Sequence, residues 1–209
     1  MKIIIPARGG SKRIPNKNII DVNGKPLISY VIETSLYISN NVYVSTDSIE
    51  IEKIAKEYGA KIIKRPHDLA TDFSTTNAVI EHFLSAVDNV EYFACVQPTS
   101  PLLAHTFLEK GFNKLKKDRY NSIISVTENA NFFWDDKCEP VNFKRNNKPR
   151  TQDMVKWYTE NGAFYMTSKN DFLETKNITN GKVGFIVMPK KLSFDIDTYE
   201  DLEIVKKLL

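Results

Sequence analysis

Five short apolar runs, most of them rich in β-branched residues, punctuate the first part of the chain: KIIIP (2–6), VYVST (42–46), KIIK (61–64), YFACVQ (92–97) and SIISV (122–126). Their apolarity is nearly continuous rather than alternating, which predicts strands buried on both faces and hence a mostly parallel sheet. Amphipathic segments lie between them. Ile51, Ile54, Ala55 and Tyr58 recur at i, i+3, i+4 and i+7, and Gly59 follows where a helix C-cap favours positive φ. Val79, Phe83, Leu84 and Val87 form a second helical stripe, and Leu108, Phe112 and Leu115 a third. Pro26 stands at a first-turn position before Leu27, Ile28, Val31 and Ile32. The order is strand, helix, strand, repeated: an α/β protein.

The alternation breaks after Thr127. Residues 128–160 are polar, carry Pro140 and Pro149, and show no clean period, so they are expected to leave the sheet as an excursion from a single domain spanning 1–209. Strand-like runs return with GAFYMT (162–167) and VGFIVM (183–188). SFDID (193–197) then leads to a last helix, where Thr198 and Asp201 have the spacing of a capping box ahead of Leu202, Val205 and Leu209.

Composition narrows the class without deciding it. A length of 209 residues with 42% hydrophobic content suits one ordinary core, and a net charge of +3 is too small and too dispersed to imply nucleic-acid binding. Cys95 and Cys138 form neither a CxxC pair nor a disulfide framework. No run approaches the roughly 18 apolar residues of a membrane span, and the N-terminus lacks the pattern of a signal peptide. A cytoplasmic protein with no membrane and no nucleic-acid partner is expected.

Two constellations carry candidate chemistry. The loop after the first strand is the usual phosphate cradle of an open α/β sheet, and here it reads ARGGSKRIPNKN (7–18), with Arg8, Lys12, Arg13 and Lys17 around Gly9 and Gly10. Adjacent glycines let backbone N–H groups approach a phosphate, Arg can hold its oxygens through two N–H groups, and Lys adds a point charge. The loop matches neither GxxxxGK[ST] nor GxGxxG. Four cations in this place favour a polyphosphate loop over a tight turn with solvated charges. The second constellation is DIDT (195–198). On a strand, Asp195 and Asp197 would share one face and could hold magnesium, which takes one or two carboxylates and completes its shell with water and phosphate. Taken alone, the same residues also read as a helix cap beside a surface aspartate.

The blocks PARGGSKRIPNKN (6–18), VSTD (44–47), KRPHDLATD (64–72), QPTSPL (97–102), PRTQD (149–153), ENGAFY (160–165) and DIDT (195–198) run in one order along the whole chain. Together they resemble the CMP-sialic acid synthetases, or N-acylneuraminate cytidylyltransferases, and their relatives acting on legionaminic acid. The resemblance implies a Rossmann-like nucleotide-diphospho-sugar transferase fold, with a mostly parallel mixed sheet and a dimerising excursion at 128–160. It implies transfer from CTP to a nine-carbon 2-keto-3-deoxy sugar acid, giving a CMP-sugar and pyrophosphate. Residue by residue, it assigns Arg8, Gly9, Gly10, Ser11, Lys17 and Asn18 to the nucleotide, with Arg65, Ser74 and Thr76 in the cytosine pocket. Gln97, Arg150, Asn161 and Tyr165 fall to the sugar, and Asp195 and Asp197 to Mg2+; Arg8, Lys17 and Asp197 carry the catalytic roles.

The reaction asks for such residues: the anomeric hydroxyl attacks the α-phosphorus in line as pyrophosphate leaves, so the demands are orientation and charge stabilisation. The general base is left open among a metal-bound hydroxide, a carboxylate of the Asp195 and Asp197 pair, and the sugar's own carboxylate. Three positions depart from the family pattern, Leu103, Thr151 and Thr159, each standing where an Arg is common or expected nearby. They bear on sugar identity more than on nucleotide chemistry. Kdo-type cytidylyltransferase activity and a catalytically silent nucleotide-binding protein are the alternatives. The histidines His67, His82 and His105 show no ligand spacing, and Cys95 is expected in a buried strand. Phe132, Phe133, Trp134 and Trp157 are expected either in a satellite core or, preferably, against a second subunit of a homodimer.

Overall fold

The computed structural model describes all 209 residues. Nine strands form: β1 (Lys2–Pro6), β2 (Asp21–Val22), β3 (Lys25–Pro26), β4 (Val42–Thr46), β5 (Lys61–Lys64), β6 (Tyr92–Val96), β7 (Ser122–Asn129), β8 (Trp157–Ser168) and β9 (Val183–Val187). Six α-helices accompany them: α1 (Leu27–Leu36), α2 (Ile49–Glu57), α3 (Thr76–Ala86), α4 (His105–Lys117), α5 (Lys169–Thr175) and α6 (Tyr199–Leu208). The seven-stranded sheet runs β5-β4-β1-β6-β8-β7-β9, with β2 and β3 as a separate hairpin. Only β8 runs antiparallel to its neighbours β6 and β7. The mostly parallel sheet expected from the apolar runs is observed, and its one antiparallel strand makes it the mixed sheet that the resemblance implies.

Alternate residues of the central strands bury against opposite helical layers. Ile3 and Ile5 of β1 pack with Ile28, Val31, Ile51, Ala55 and Leu108 from α1, α2 and α4. Ile4, between them, faces Val79, Ile80, Phe83 and Phe172 from α3 and α5. This two-sided burial is why β1 reads as an unbroken apolar run. Gly59 has φ +88° after α2, as its position predicted. Pro26 is the N-cap of α1 and pairs with Asp21 in the hairpin, one residue outside the expected first turn.

A third apolar cluster gathers segments far apart in the chain. Ile14 from the first loop, Leu27, Ile196, Leu202 and Val205 are buried together. The DIDT segment is therefore anchored, but not on a strand, the condition on which the shared face of its carboxylates was read: residues 193–197 make no ladder, and the Ile196 N–H donates to the Thr99 carbonyl at 2.9 Å. Ile196 is driven into the cluster by its own apolar side chain, which leaves Asp195 and Asp197 part-exposed beside it. The capping box is present as read, with Thr198 and Asp201 exchanging side-chain to backbone hydrogen bonds.

The expected excursion is narrower than 128–160. β7 runs on to Asn129 and β8 starts at Trp157, pairing Val126 through Asn129 with Glu160 back to Trp157 as a two-stranded ribbon. Beyond it, Phe132 and Trp134 both pack edge-on against Phe143, at 4.9 and 5.1 Å between ring centroids, and Phe133 packs on Trp157 at 5.6 Å. The rings thus form a small satellite cluster, yet Trp134 keeps half its surface exposed.

Candidate active site

The first loop lies beyond the carboxyl end of β1, flanked by the ends of β4 and β6, where an open α/β sheet places its ligands. A cleft of about 500 Å³ opens there, lined by Arg8, Ser11, Lys12, Arg13, Lys17 and Asn18 on one side and by Arg65, Asp72, Ser74, Thr76, Gln97 and Thr99 on the other. Seven of the nine residues assigned to the nucleotide or base, all but Gly9 and Gly10, thus gather on one surface, and Gln97 joins them.

The loop's cations are already engaged by acids of the chain. Arg8 donates to Asp72 at 2.7 Å and to the Ala70 carbonyl at 3.3 Å, and Lys12 pairs with the second oxygen of Asp72. The Asp72 carboxyl is held below its usual value by hydrogen bonds from Lys12 and Arg8. Lys17 donates to the Ile196 carbonyl at 2.8 Å and to Asp197 at 3.0 Å, and Arg13 meets the other Asp197 oxygen at 3.1 Å. The two constellations read from sequence therefore meet in space. Apolar packing holds them there: a buried Ile is worth about 1.5–3 kcal/mol, whereas a part-exposed ion pair contributes about 0–1 kcal/mol. Ile14 and Ile196 are fully buried.

The glycines act differently from the expected cradle. Gly10 has φ +63°, the left-handed conformation a side chain disfavours. The Gly9 N–H is not directed at the cleft; it donates to Asp47 at 2.9 Å. Asn18 is buried and its amide donates to the Arg8 carbonyl at 3.0 Å, which braces the loop from within. Arg65 is also buried, its guanidinium donating to the Ser45 hydroxyl at 3.1 Å and carbonyl at 2.8 Å. Burial lowers its pKa to about 10, against the raising influence of Asp47. Ser74 ties its own loop together through Thr71 and the Asp68 carbonyl.

On the far side of Gln97 the cleft passes into two further cavities. One, of about 450 Å³, is shared by Thr76, Gln97, Thr99, Glu160, Tyr165 and Asp195. The next, of about 460 Å³, is lined by Glu160, Asn161, Tyr165, Lys190, Ser193 and Asp195 among others. Both are shaped by an irregularity in β8: the register jumps from Ile124 opposite Tyr165 to Val126 opposite Glu160, with Gly162 at φ +72° between. Ser125 fills the gap, accepting from the Phe164 N–H at 2.9 Å and donating to its carbonyl.

Tyr165 donates to Glu160 at 3.0 Å, and burial, reinforced by that bond, raises the phenol's pKa. Asn161 lines the outer cavity, but its amide is committed: it donates to the Ser193 hydroxyl at 2.9 Å and accepts from the Ala163 N–H at 3.2 Å. It braces the bulge rather than presenting a free group. Arg150 departs further from its expected sugar contact. It lies on the exposed arm, paired with Asp153 at 2.7 Å, and lines none of these cavities. Cys95 is buried in β6 with its thiol pushed up to about 12 by that burial.

Asp195 is the least satisfied polar group of the site. Its Oδ1 is buried with no hydrogen-bond partner, and burial, with the neighbouring Asp197 charge, raises its pKa against the lowering influence of the Thr99 side chain and Lys17. Asp197 is instead held down, because Lys17 and Arg13 outweigh the cost of its partial burial. Asp72, Asp47 and Lys190 were not assigned from sequence. Asp72 and Asp47 close the blocks KRPHDLATD and VSTD, and Asp47 directly follows β4, which was the available signal.

A cationic loop facing carboxylates across one cleft, beyond the carboxyl ends of a parallel sheet, is the arrangement of a nucleotidyltransferase. The chain belongs to the cytidylyltransferase family, whose sequence model matches residues 2–208. It is 36% identical over 218 residues to a pseudaminic acid cytidylyltransferase of Campylobacter jejuni, covering 98% of this chain and 94% of that relative. It is 35% identical over 213 residues to N-acylneuraminate cytidylyltransferase A of Danio rerio, covering 98% of this chain and 49% of the longer relative. Among solved structures, a CMP:2-keto-3-deoxy-manno-octonic acid synthetase complexed with CTP superposes with a TM-score of 0.73 at 19% identity, covering 99% of this chain and 97% of its own. A 4-diphosphocytidyl-2C-methyl-D-erythritol synthase from Anaerococcus prevotii does so with 0.74 at 16% identity, covering 99% and 96%. These two share the Rossmann-like fold. No helix of the chain is long and apolar enough to cross a membrane.

Proposed function

We propose that the chain transfers CMP from CTP to the anomeric hydroxyl of a nine-carbon 2-keto-3-deoxy sugar acid, of the N-acylneuraminic, legionaminic or pseudaminic type, with release of pyrophosphate. The observation that carries this reading is the continuity of the cleft: the cationic half and the polar cavities share Thr76, Gln97 and Thr99, so a triphosphate and a polyhydroxylated acceptor can meet there. The names of the relatives, pseudaminic acid and N-acylneuraminate cytidylyltransferases, support the acceptor class.

In this reading Arg8, Lys12, Arg13 and Lys17 exchange their carboxylate partners for phosphate oxygens, and Arg8 and Lys17 offset the charge of the leaving pyrophosphate. Ser11 and the Gly9 to Gly10 turn shape the loop around the phosphates. Asn18 holds the Arg8 backbone, and Arg65, Ser74 and Thr76 flank the base. Gln97 and Tyr165 face the sugar.

The donor set fits magnesium. Asp195 offers a buried oxygen that no donor satisfies, and Asp197 becomes available when phosphates draw Lys17 and Arg13 away. Bound by these two carboxylates, the ion would polarise the α-phosphoryl oxygen.

A homodimer is part of the proposal. Tyr158 of the ribbon and Phe185 of β9 pack at 5.3 Å and both stay part-exposed, as do Val155, Val187 and Trp134, which makes the arm and the β9 edge the favoured contact surface. Sedimentation should then give twice the chain mass. A cytoplasmic location suits the substrates.

Pyrophosphate release measured with each nucleoside triphosphate, against N-acetylneuraminate, legionaminate, pseudaminate and Kdo, tests the activity. Release is expected only with CTP and a nine-carbon acid. Turnover with Kdo alone overturns the acceptor class in favour of the Kdo-type alternative. CTP binding without release for any acceptor favours the silent nucleotide-binding protein instead.

A further inference from the structure

We infer that Lys190 is the residue that anchors the acceptor's carboxylate; this rests on the sugar-acid reading above. The two cavities beyond Gln97 contain the carboxylates of Glu160 and Asp195, and Lys190 is the one cation among the residues lining either of them. An acceptor whose own carboxylate sits beside its reacting carbon must bring that negative charge past Glu160, and past Asp195 wherever a metal ion does not neutralise it. Like charges gathered in a partly desolvated cavity repel, and one cation placed there offsets them.

Lys190 differs from every cation of the nucleotide loop. Arg8, Lys12, Arg13 and Lys17 are each paired with Asp72 or Asp197, whereas the Lys190 ammonium has neither an ion pair nor a hydrogen bond. Arg150, the other candidate, stands on the exposed arm beside Asp153 and lines neither cavity.

The backbone beneath Lys190 is fixed although its side chain is free. Pro189 to Ser193 close a turn: the Leu192 N–H donates to the Pro189 carbonyl at 2.9 Å, and the Ser193 N–H to the Lys190 carbonyl at 3.1 Å. Asn161 then clasps that turn through the Ser193 hydroxyl, joining it to the bulge that carries Glu160 and Gly162. A four-carbon stem on a held backbone can swing its ammonium to a carboxylate without moving the rest of the site. Asn161 thereby acts as a positioning residue for Lys190.

The test compares wild type, Lys190→Gln and Lys190→Arg in pyrophosphate release, with the sugar acid that wild type uses best and with its methyl ester. Lys190→Gln should raise KM for the acid by about tenfold or more, leave KM for CTP within about twofold, and shrink the preference for acid over ester. Lys190→Arg should recover most of the loss. An unchanged KM for the acid in Lys190→Gln, or a parallel rise in KM for CTP, overturns the assignment of Lys190 while leaving the proposed function standing. Failure of wild type to turn over any sugar acid takes down both.

Discussion

The two halves of the cleft handle charge in opposite ways. On the nucleotide side four loop cations are satisfied within the chain by Asp72 and Asp197, so the side chains that would meet phosphates are held in place before any ligand arrives. On the acceptor side the polar groups are braced by backbone and hydroxyls, while Asp195 keeps an unsatisfied oxygen and Lys190 an unpaired ammonium. The first half is preorganised by exchangeable partners, the second by a rigid bulge with two groups left over. Preorganisation of either kind reduces what binding must spend on ordering side chains.

Asp195→Asn removes the unsatisfied carboxylate at the junction and should break the comparison most severely. Turnover with CTP and magnesium is expected to fall by about a hundredfold or more, with near-ultraviolet circular dichroism unchanged; normal turnover would remove Asp195 from any metal role. Lys17→Gln strips the first loop of its most buried cation, and kcat/KM for CTP should drop by about 10–100-fold. Because Ile14 and Ile196 still pack, the melting temperature should move little; a large fall would mean that the ion pair, not the apolar cluster, holds the two segments together. Asp72→Asn is the mildest of the three. It frees Arg8 and Lys12, and KM for CTP should fall by no more than a few-fold, since exposed pairs are weak; a rise would show that Asp72 aims the cations rather than competing for them.

Legibility followed burial. β1, β4, β5, β6 and the first part of β7 are covered on both faces, so their apolar runs announced them. The hairpin β2 and β3 has two residues per strand, too few to show a period, and α5 buries only Phe172. Trp157 to Glu160 hid their pairing because both faces of the ribbon are open to solvent, which leaves no alternation to read. The DID segment misled in the opposite direction: one buried Ile between two acids imitates a strand, although tertiary contacts with Thr99 and the α6 cluster shape it. At the site, Arg8 and Lys17 were legible because they crowd one loop. Asp72 and Lys190 were not, because their meaning depends on partners, or on the lack of them, distant in sequence. Arg150 shows the converse, a residue inside a recognisable block that the fold carries away from the cleft.

The pairing of Asp72 and Asp197 with the loop also governs how a triphosphate first meets the protein. Five cationic side chains around the nucleotide cleft, Arg65 included, face the carboxylates of Asp47, Asp72, Asp195 and Asp197. Beyond a Debye length, about 8 Å at physiological ionic strength, this nearly neutral cluster projects little monopole field. Long-range steering is then weak, and the association rate should depend only slightly on salt. The pull is exerted at contact, as phosphate oxygens displace carboxylates one cation at a time.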